Sequence, residues 1–372
     1  MKYKVPFVNP SKQYQTIKEE ILKTFDNVLS RGDLILRGDI EEFEKNMAVF
    51  IGTKYAVGLN SGTDAMFLPL KALAIGPGDE VITVSHTFVA SIAVIVNVGA
   101  KPVLVDVKED FTMDVDKLEA AITEKTKAVI PVHLNGRACE MDRLMEIAGR
   151  HDLIVIEDAA QALGAKFKES AGWRMAGSFG LAGCFSLYPF KILGCFGDGG
   201  ILTTNDEKIA EKIRLLRDHG QKTKTEIVCF GWNSRLDNIQ AAFLNVKIKH
   251  LKEWIDRRRE IATIYNDSLK NVQGIELPPA PDSDGKHFDV YQNYVLKAGR
   301  RDELAAFLKE KGVEILIKDP IANHRQPGLG LSHFDLPYSE KLAGEVISLP
   351  MYPELNQEQI EYVIESVKKF YC

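Results

Sequence analysis

The chain has 372 residues, a formal net charge of −5, 45% hydrophobic and 27% charged residues, the make-up of a globular protein large enough for two lobes. The slight acidity offers no field to gather nucleic acid or anionic lipid, and no run approaches the roughly 18 apolar residues of a membrane span. Five scattered cysteines without a C-x-x-C pair, no His/Cys group at metal-ligand spacing and a polar start predict reduced thiols, no metal and a cytoplasmic location.

In chain order, apolar spacing predicts helices over residues 12–29 and 38–50, with a glycine-containing turn between them. Seven short strands follow, at 55–59, 81–84, 102–107, 128–132, 153–157, 183–187 and 200–204. Most are nearly continuous in apolar residues, as strands covered on both faces should be. Helical segments at 65–73, 90–98, 114–122 and 140–150 separate the first five, which predicts an α/β layered sheet with right-handed crossovers. The last two strands lie closer together, so the sheet can be mixed there. A helix at 206–219 precedes a long helical pattern at 236–269, expected to connect two lobes. The stretch LPPAPDSDG at 277–285 reads as a loop. Strand 290–296, helix 302–311, strand 313–317 and helix 357–370 predict a smaller C-terminal α/β lobe. The expected division is a large domain over 1–250 and a small one over 251–372.

Ligands of open α/β sheets sit beyond the carboxyl ends of the strands, and three segments fall at such ends. Asn60-Ser61-Gly62-Thr63-Asp64 opens a helix, whose first N–H groups lack internal partners and suit a phosphate; an ordinary capped helix reads equally well. It lacks the spacing of a nucleotide P-loop, and no G-x-G-x-x-G supports a dinucleotide fold. Glu157-Asp158-Ala159-Ala160-Gln161 ends a very apolar strand, where a carboxylate needs a cation or strong donors. Asp158 suits a protonated heteroaromatic nitrogen, though amide-bonded burial or a magnesium ligand are alternatives. Phe185-Ser186-Leu187-Tyr188-Pro189-Phe190-Lys191, followed by a glycine-rich turn, delivers Lys191 just past a strand end, with a surface lysine beside that turn as the alternative reading. A lysine in a partly dry site favours its neutral amine, as imine formation requires. A phosphate cradle, an acid for a ring nitrogen and an amine for an aldehyde are what pyridoxal phosphate (PLP) calls for.

Over nearly its whole length the chain resembles the DegT/DnrJ/StrS family of PLP-dependent nucleotide-sugar aminotransferases. The likeness is carried by NSGTDA from Asn60, GDEVI from Gly78, Thr87-Phe88, PVH from Pro131, IEDAAQ from Ile156, FSLYPFK ending at Lys191, GDGG from Gly197 and GWNSRLDNIQAA from Gly231. It implies the type I, aspartate-aminotransferase-like fold, with a seven-stranded mostly parallel sheet in the large domain and a smaller C-terminal α/β domain. It also implies roles: Lys191 carries the cofactor as a Schiff base and shuttles protons, Asp158 pairs with the pyridine nitrogen, Phe88 stacks on the ring, and Gln161 meets the 3-hydroxyl region. Gly62, Thr63 and Ser186 would hold the phosphate, with Asn233 reaching it from the partner of a homodimer, while Arg235 lines the substrate side.

The implied reaction moves an amino group, with glutamate as the expected donor, onto a nucleotide-linked keto sugar. Lys191 favours transamination over the dehydration run by histidine-bearing relatives, and the GWNSRLD wording favours a 3-keto over a 4-keto sugar. Ile192, Trp232 and Lys318-Asp319 depart from the common pattern, so Lys318, His324 and Arg325 are expected to form a distinct sugar or nucleotide pocket, or else a polar small-lobe loop. A dehydratase or lyase with the same cofactor, and a non-enzymatic sensor or scaffold, are the competing classes.

Overall fold

Residues 3–372 are described by the computed structural model. Nine strands lie in the first two-thirds of the chain: β1 (Tyr55–Leu59), β2 (Glu80–Val84), β3 (Lys101–Val105), β4 (Thr126–Val129), β5 (Ile154–Asp158), β6 (Lys166–Glu169), β7 (Gly172–Met175), β8 (Ala182–Ser186) and β9 (Gly200–Thr204). Seven of them form one sheet in the order β1-β9-β8-β5-β4-β2-β3. Only β9 runs against its neighbours, β1 and β8; the other pairs are parallel. The mixed step therefore falls at the closely spaced last two strands, where no helix intervenes.

Alternate side chains of these strands feed two apolar cores, one on each face. Val155 and Phe185 enter one, and Ile156 and Cys184 the other. Burial on both faces is why the strands read as apolar runs. The helices that join them place the carboxyl ends of β1, β5 and β8 on one edge, with helix Gly62–Ala72 directly after β1.

The C-terminal part adds β10 (Ile275–Glu276), β11 (His287–Phe288), β12 (Tyr294–Ala298) and β13 (Val346–Leu349). An antiparallel sheet, β10-β12-β13, packs with helices Arg301–Glu310 and Gln357–Tyr371 in a third core that includes Tyr265, Tyr294, Leu304 and Val363. Strand β11 joins the hairpin β6–β7 in a small sheet that local sequence patterning does not announce.

Several expected elements differ. The pattern at 236–269 is not one helix: helices Asn238–Lys247 and Leu251–Leu269 are separated by a tighter turn at Ile248–His250. Residues 313–317 form no strand, because Val313 pairs with Val5 on one side and Leu316 with Ser348 on the other, so no continuous ladder builds. The strand expected from 290 begins at Tyr294, since Arg258 draws in the carbonyls of Tyr291 and Gln292. Only Val115–Leu118 is α-helical within 114–122. Among the described residues no helix is long and apolar enough to cross a membrane.

Candidate active site

A cavity of about 570 Å³ opens at the carboxyl edge of the large sheet. Gly62, Thr63, Phe88, Asp158, Gln161, Ser186, Lys191 and Lys318 all line it. Chain folding brings them there from five separate segments.

The helix after β1 begins on Ser61, whose hydroxyl accepts the Asp64 N–H at 3.1 Å. The N–H groups of Gly62 and Thr63 have no acceptor within the helix. A Cβ on Gly62 would lie 2.9 Å from the Ser186 Cα, so glycine is what lets the helix start press against the end of β8. Two free N–H groups, a threonine hydroxyl and the Ser186 hydroxyl thus share one corner, a donor set suited to a phosphate.

At the end of β5, Asp158 is buried and faces the cavity. Its Oδ2 accepts from Ser91 Oγ at 2.6 Å and its Oδ1 from Ala160 N at 3.1 Å. Because Ser91 spends its proton on the carboxylate, the Thr87 hydroxyl, 2.9 Å away, donates to Ser91. The carboxylate retains acceptor capacity toward the cavity. Gln161 is held by Asn135 N, which donates to its Oε1 at 2.8 Å. Phe88 is half exposed, 57%, at the cavity wall.

Past β8 the chain turns sharply, and Lys191 N donates to the Tyr188 carbonyl at 2.9 Å. The return of the turn packs so closely that a Cβ on Gly194 would sit 2.6 Å from the Pro189 carbonyl oxygen. Gln292 grips both flanks of Lys191: its Oε1 accepts Ile192 N at 3.0 Å and its Nε2 donates to Phe190 O at 2.8 Å. Burial pushes the Lys191 amine down to about 7, with the Lys318 charge adding to the shift and Asp158 opposing it. An amine so placed is substantially neutral near pH 7 and able to attack a carbonyl. Burial also lowers His86, to about 4, again aided by Lys318, so its ring is neutral.

Four other candidates lie outside the cavity of their own chain. Arg235 is tied to Asp218 at 2.9 Å, and Asn233 is exposed. His324 is fully buried between Ser85 Oγ (2.7 Å) and Glu340 Oε1 (3.2 Å), where it braces the lobe junction. Arg325 points outward to Glu340 and the Ser332 carbonyl. The expected pocket of Lys318, His324 and Arg325 therefore does not form, and Lys318 enters the cavity without them. Conversely Phe7, Tyr188, Gln292 and Asn293 line the cavity unforeseen. Tyr188 sits inside the FSLYPFK stretch without having been assigned a role, and Phe7, Gln292 and Asn293 sit in no motif that local spacing would single out.

The residues present fit a phosphorylated aldehyde on a protonatable ring: a donor-rich corner, an acceptor at Asp158 and a near-neutral amine at Lys191. The comparisons agree. Residues 15–368 match the DegT/DnrJ/EryC1/StrS aminotransferase family. The chain is 43% identical over 99% of its length, and 98% of the other's, to a pleiotropic regulatory protein of Geobacillus stearothermophilus. It is 41% identical, over 99% of this chain and 96% of the other, to a dTDP-3-amino-3,4,6-trideoxy-alpha-D-glucose transaminase of Streptomyces venezuelae. Among solved structures, S. venezuelae DesV in complex with a ketimine intermediate superposes with a TM-score of 0.93 at 39% identity, covering 99% of this chain and 98% of that one. A Bacillus subtilis protein with bound cofactor PMP gives 0.90 at 30%, covering 98% and 84%. The chain belongs to the DegT/DnrJ/EryC1/StrS aminotransferase family and is a PLP-dependent aminotransferase of the type I fold.

Proposed function

We propose that this aminotransferase moves an amino group from glutamate to the 3-keto group of a nucleotide-linked sugar, working as a homodimer with shared sites. The observation that carries the reading is Lys191, an amine near neutrality in one cavity with the Asp158 carboxylate and the donor-rich corner at Gly62. Bound PLP supplies an aldehyde that exchanges amino groups and a conjugated ring that withdraws electrons from the carbon being deprotonated.

This chain's residues do the rest. Lys191 Nζ holds the cofactor between turnovers and, once released, takes and returns a proton at the reacting carbon. Asp158 accepts from the ring N–H and keeps the proton there, with Ser91 and Ala160 fixing the carboxylate. Gly62, Thr63 and Ser186 hold the phosphate, Gln161 the 3-hydroxyl side and Phe88 the ring face. Position 3 is supported by the S. venezuelae transaminase and by the GWNSRLD segment. The dimer is supported by an apolar loop left uncovered by the described residues of its own chain: Phe230 is 97% exposed, with Ile227 and Val228 beside it. Asn233 follows that loop and would reach the partner's phosphate corner.

The test is direct. The protein is reconstituted with PLP, reduced with borohydride and peptide-mapped, and an adduct on Lys191 is expected. Unreduced enzyme is then given glutamate with 3-keto or 4-keto sugar nucleotides, and an amino sugar is expected from the 3-keto compounds. Formation of a dehydrated sugar, or of no sugar amine, would overturn the reading.

A further inference from the structure

We propose that Lys318 receives the α-carboxylate of the amino-acid donor, an inference that rests on the transamination proposed above. Lys318 lies in a segment anchored to both lobes. On one side Leu316 exchanges hydrogen bonds with Ser348 of β13, at 3.2 and 2.8 Å. On the other, Asn323 Nδ2 donates to the carbonyls of Ser85 and Thr87, at 2.9 and 2.6 Å, in the loop that leads to Phe88. Between the anchors Asp319 adopts a φ of 51°, which non-glycine residues rarely take. This geometry carries Lys318 into the cavity.

The Lys318 Nζ is shut off from solvent and has no hydrogen-bond partner among the described residues. Asp319 Oδ2 is 3.9 Å away, too far for a hydrogen bond. An ammonium so placed is costly until an acceptor or an anion arrives. The neighbouring cations offer no comparable opening. Arg235 is paired with Asp218, and Arg325 with Glu340. Lys191 is committed to the cofactor, and His86 is neutral. Burial holds the Lys318 amine below the ordinary lysine value, against the pull of Asp319 and Asp158, so an arriving anion would favour its ammonium. Lys318 is thus an unpartnered donor beside the reacting centre, close enough for its charge to act on Lys191.

The two substrates differ in where they carry negative charge. In an amino acid the carboxylate is one bond from the carbon whose amine is exchanged. In a 3-keto sugar nucleotide the phosphates hang from the anomeric carbon, two ring positions from the reacting ketone, and the nearer groups are neutral hydroxyls. A cation near Lys191 therefore matches the donor.

The experiment compares wild type, Lys318→Met and Lys318→Arg, each loaded with PLP. Calorimetry with 2-methylglutamate, which has the carboxylates but no α-hydrogen, reads binding without turnover. Steady-state kinetics read KM for glutamate and for the sugar nucleotide separately. Lys318→Met should weaken 2-methylglutamate binding and raise the glutamate KM by about 10- to 100-fold, the loss of one charge-assisted contact. The sugar KM and the melting temperature should hold, and Lys318→Arg should recover much of the loss. The proposal fails if donor binding is unchanged in Lys318→Met, if the increase falls on the sugar KM, or if wild type does not bind 2-methylglutamate. Lys318-dependent binding without transfer to any sugar would instead count against the substrate reading and leave this one standing.

Discussion

Two carboxylates stand side by side at the end of β5, and their surroundings could hardly differ more. Glu157 faces the side of the sheet away from the cavity. Its oxygens accept from the N–H groups of Gly177, Phe179 and Gly180, each at 2.7 Å, and from His133 Nε2 at 2.9 Å. The tautomer of His133 is fixed because its Nδ1 accepts the Cys139 N–H at 3.0 Å, which leaves the ring proton on Nε2. Asp158, one residue later and on the other face, accepts from Ser91 and Ala160 and looks into the cavity. A carboxylate whose acceptor sites are filled by its own chain is a structural part. One left with capacity toward a cavity can serve a ligand. Sequence adjacency puts both at the strand end, and the alternation of the strand sends them to different work.

The largest effect should mark the scale of the cavity side. Lys191→Ala removes both the amine that holds the cofactor and the proton carrier. Amino transfer should fall by at least about 10³-fold, and the borohydride-stable adduct should vanish. An unchanged adduct on another lysine would show that Lys191 is not the attachment point.

The comparison itself can be broken with a pair of isosteric changes. Asp158→Asn should lower transfer by about 10²- to 10³-fold, the range for losing one preorganised electrostatic group, with little change in melting temperature. Glu157→Gln should do the reverse. Its amide would point N–H groups at the N–H donors of the 177–180 loop, and stability should drop by about 3 kcal/mol. Urea unfolding and turnover of the surviving folded fraction separate the two quantities. If Glu157→Gln lost activity at full stability, the division between structural and ligand-facing acid would be wrong.

Much of this was open to sequence reading because it is local. Strands β1 and β9 begin and end where their apolar runs do, and the cavity-lining stretches at 60–64, 157–161 and 185–191 announce themselves by polar residues at strand ends. What local pattern cannot carry is pairing at a distance. The residues at 313–317 look like a strand, yet their partners Val5 and Ser348 lie on opposite sides. The basic and polar trio at Lys318, His324 and Arg325 reads as one pocket, but the partly exposed Glu340 and the buried Ser85 hydroxyl pull two of them away. Helical periodicity over 236–269 is real and hides a tighter turn, since a 3₁₀ step keeps the apolar face nearly in register.

Gln292 belongs to the same class of long-range features and gives the finest test of the cavity side. Arg258 is buried in the junction of the lobes and donates to the carbonyls of Tyr291, Gln292 and Met351, at 3.1, 3.3 and 3.0 Å. That clamp presents the Gln292 amide to the two peptide groups flanking Lys191. The small lobe thereby fixes the turn that positions the reactive amine, without touching the amine itself. Gln292→Ala would leave Ile192 N–H and Phe190 C=O unpaired and let the turn loosen. Capture of PLP by apoprotein should slow by about 10-fold. The pH profile sharpens the cause. Only the neutral amine attacks, so capture by wild type should rise with pH through an inflection near 7, where burial has placed Lys191. A loosened turn readmits water, and the inflection should then move upward, toward the ordinary lysine value. Slower capture with the inflection still near 7 would mean that Gln292 supports the fold alone and that the turn holds Lys191 unaided.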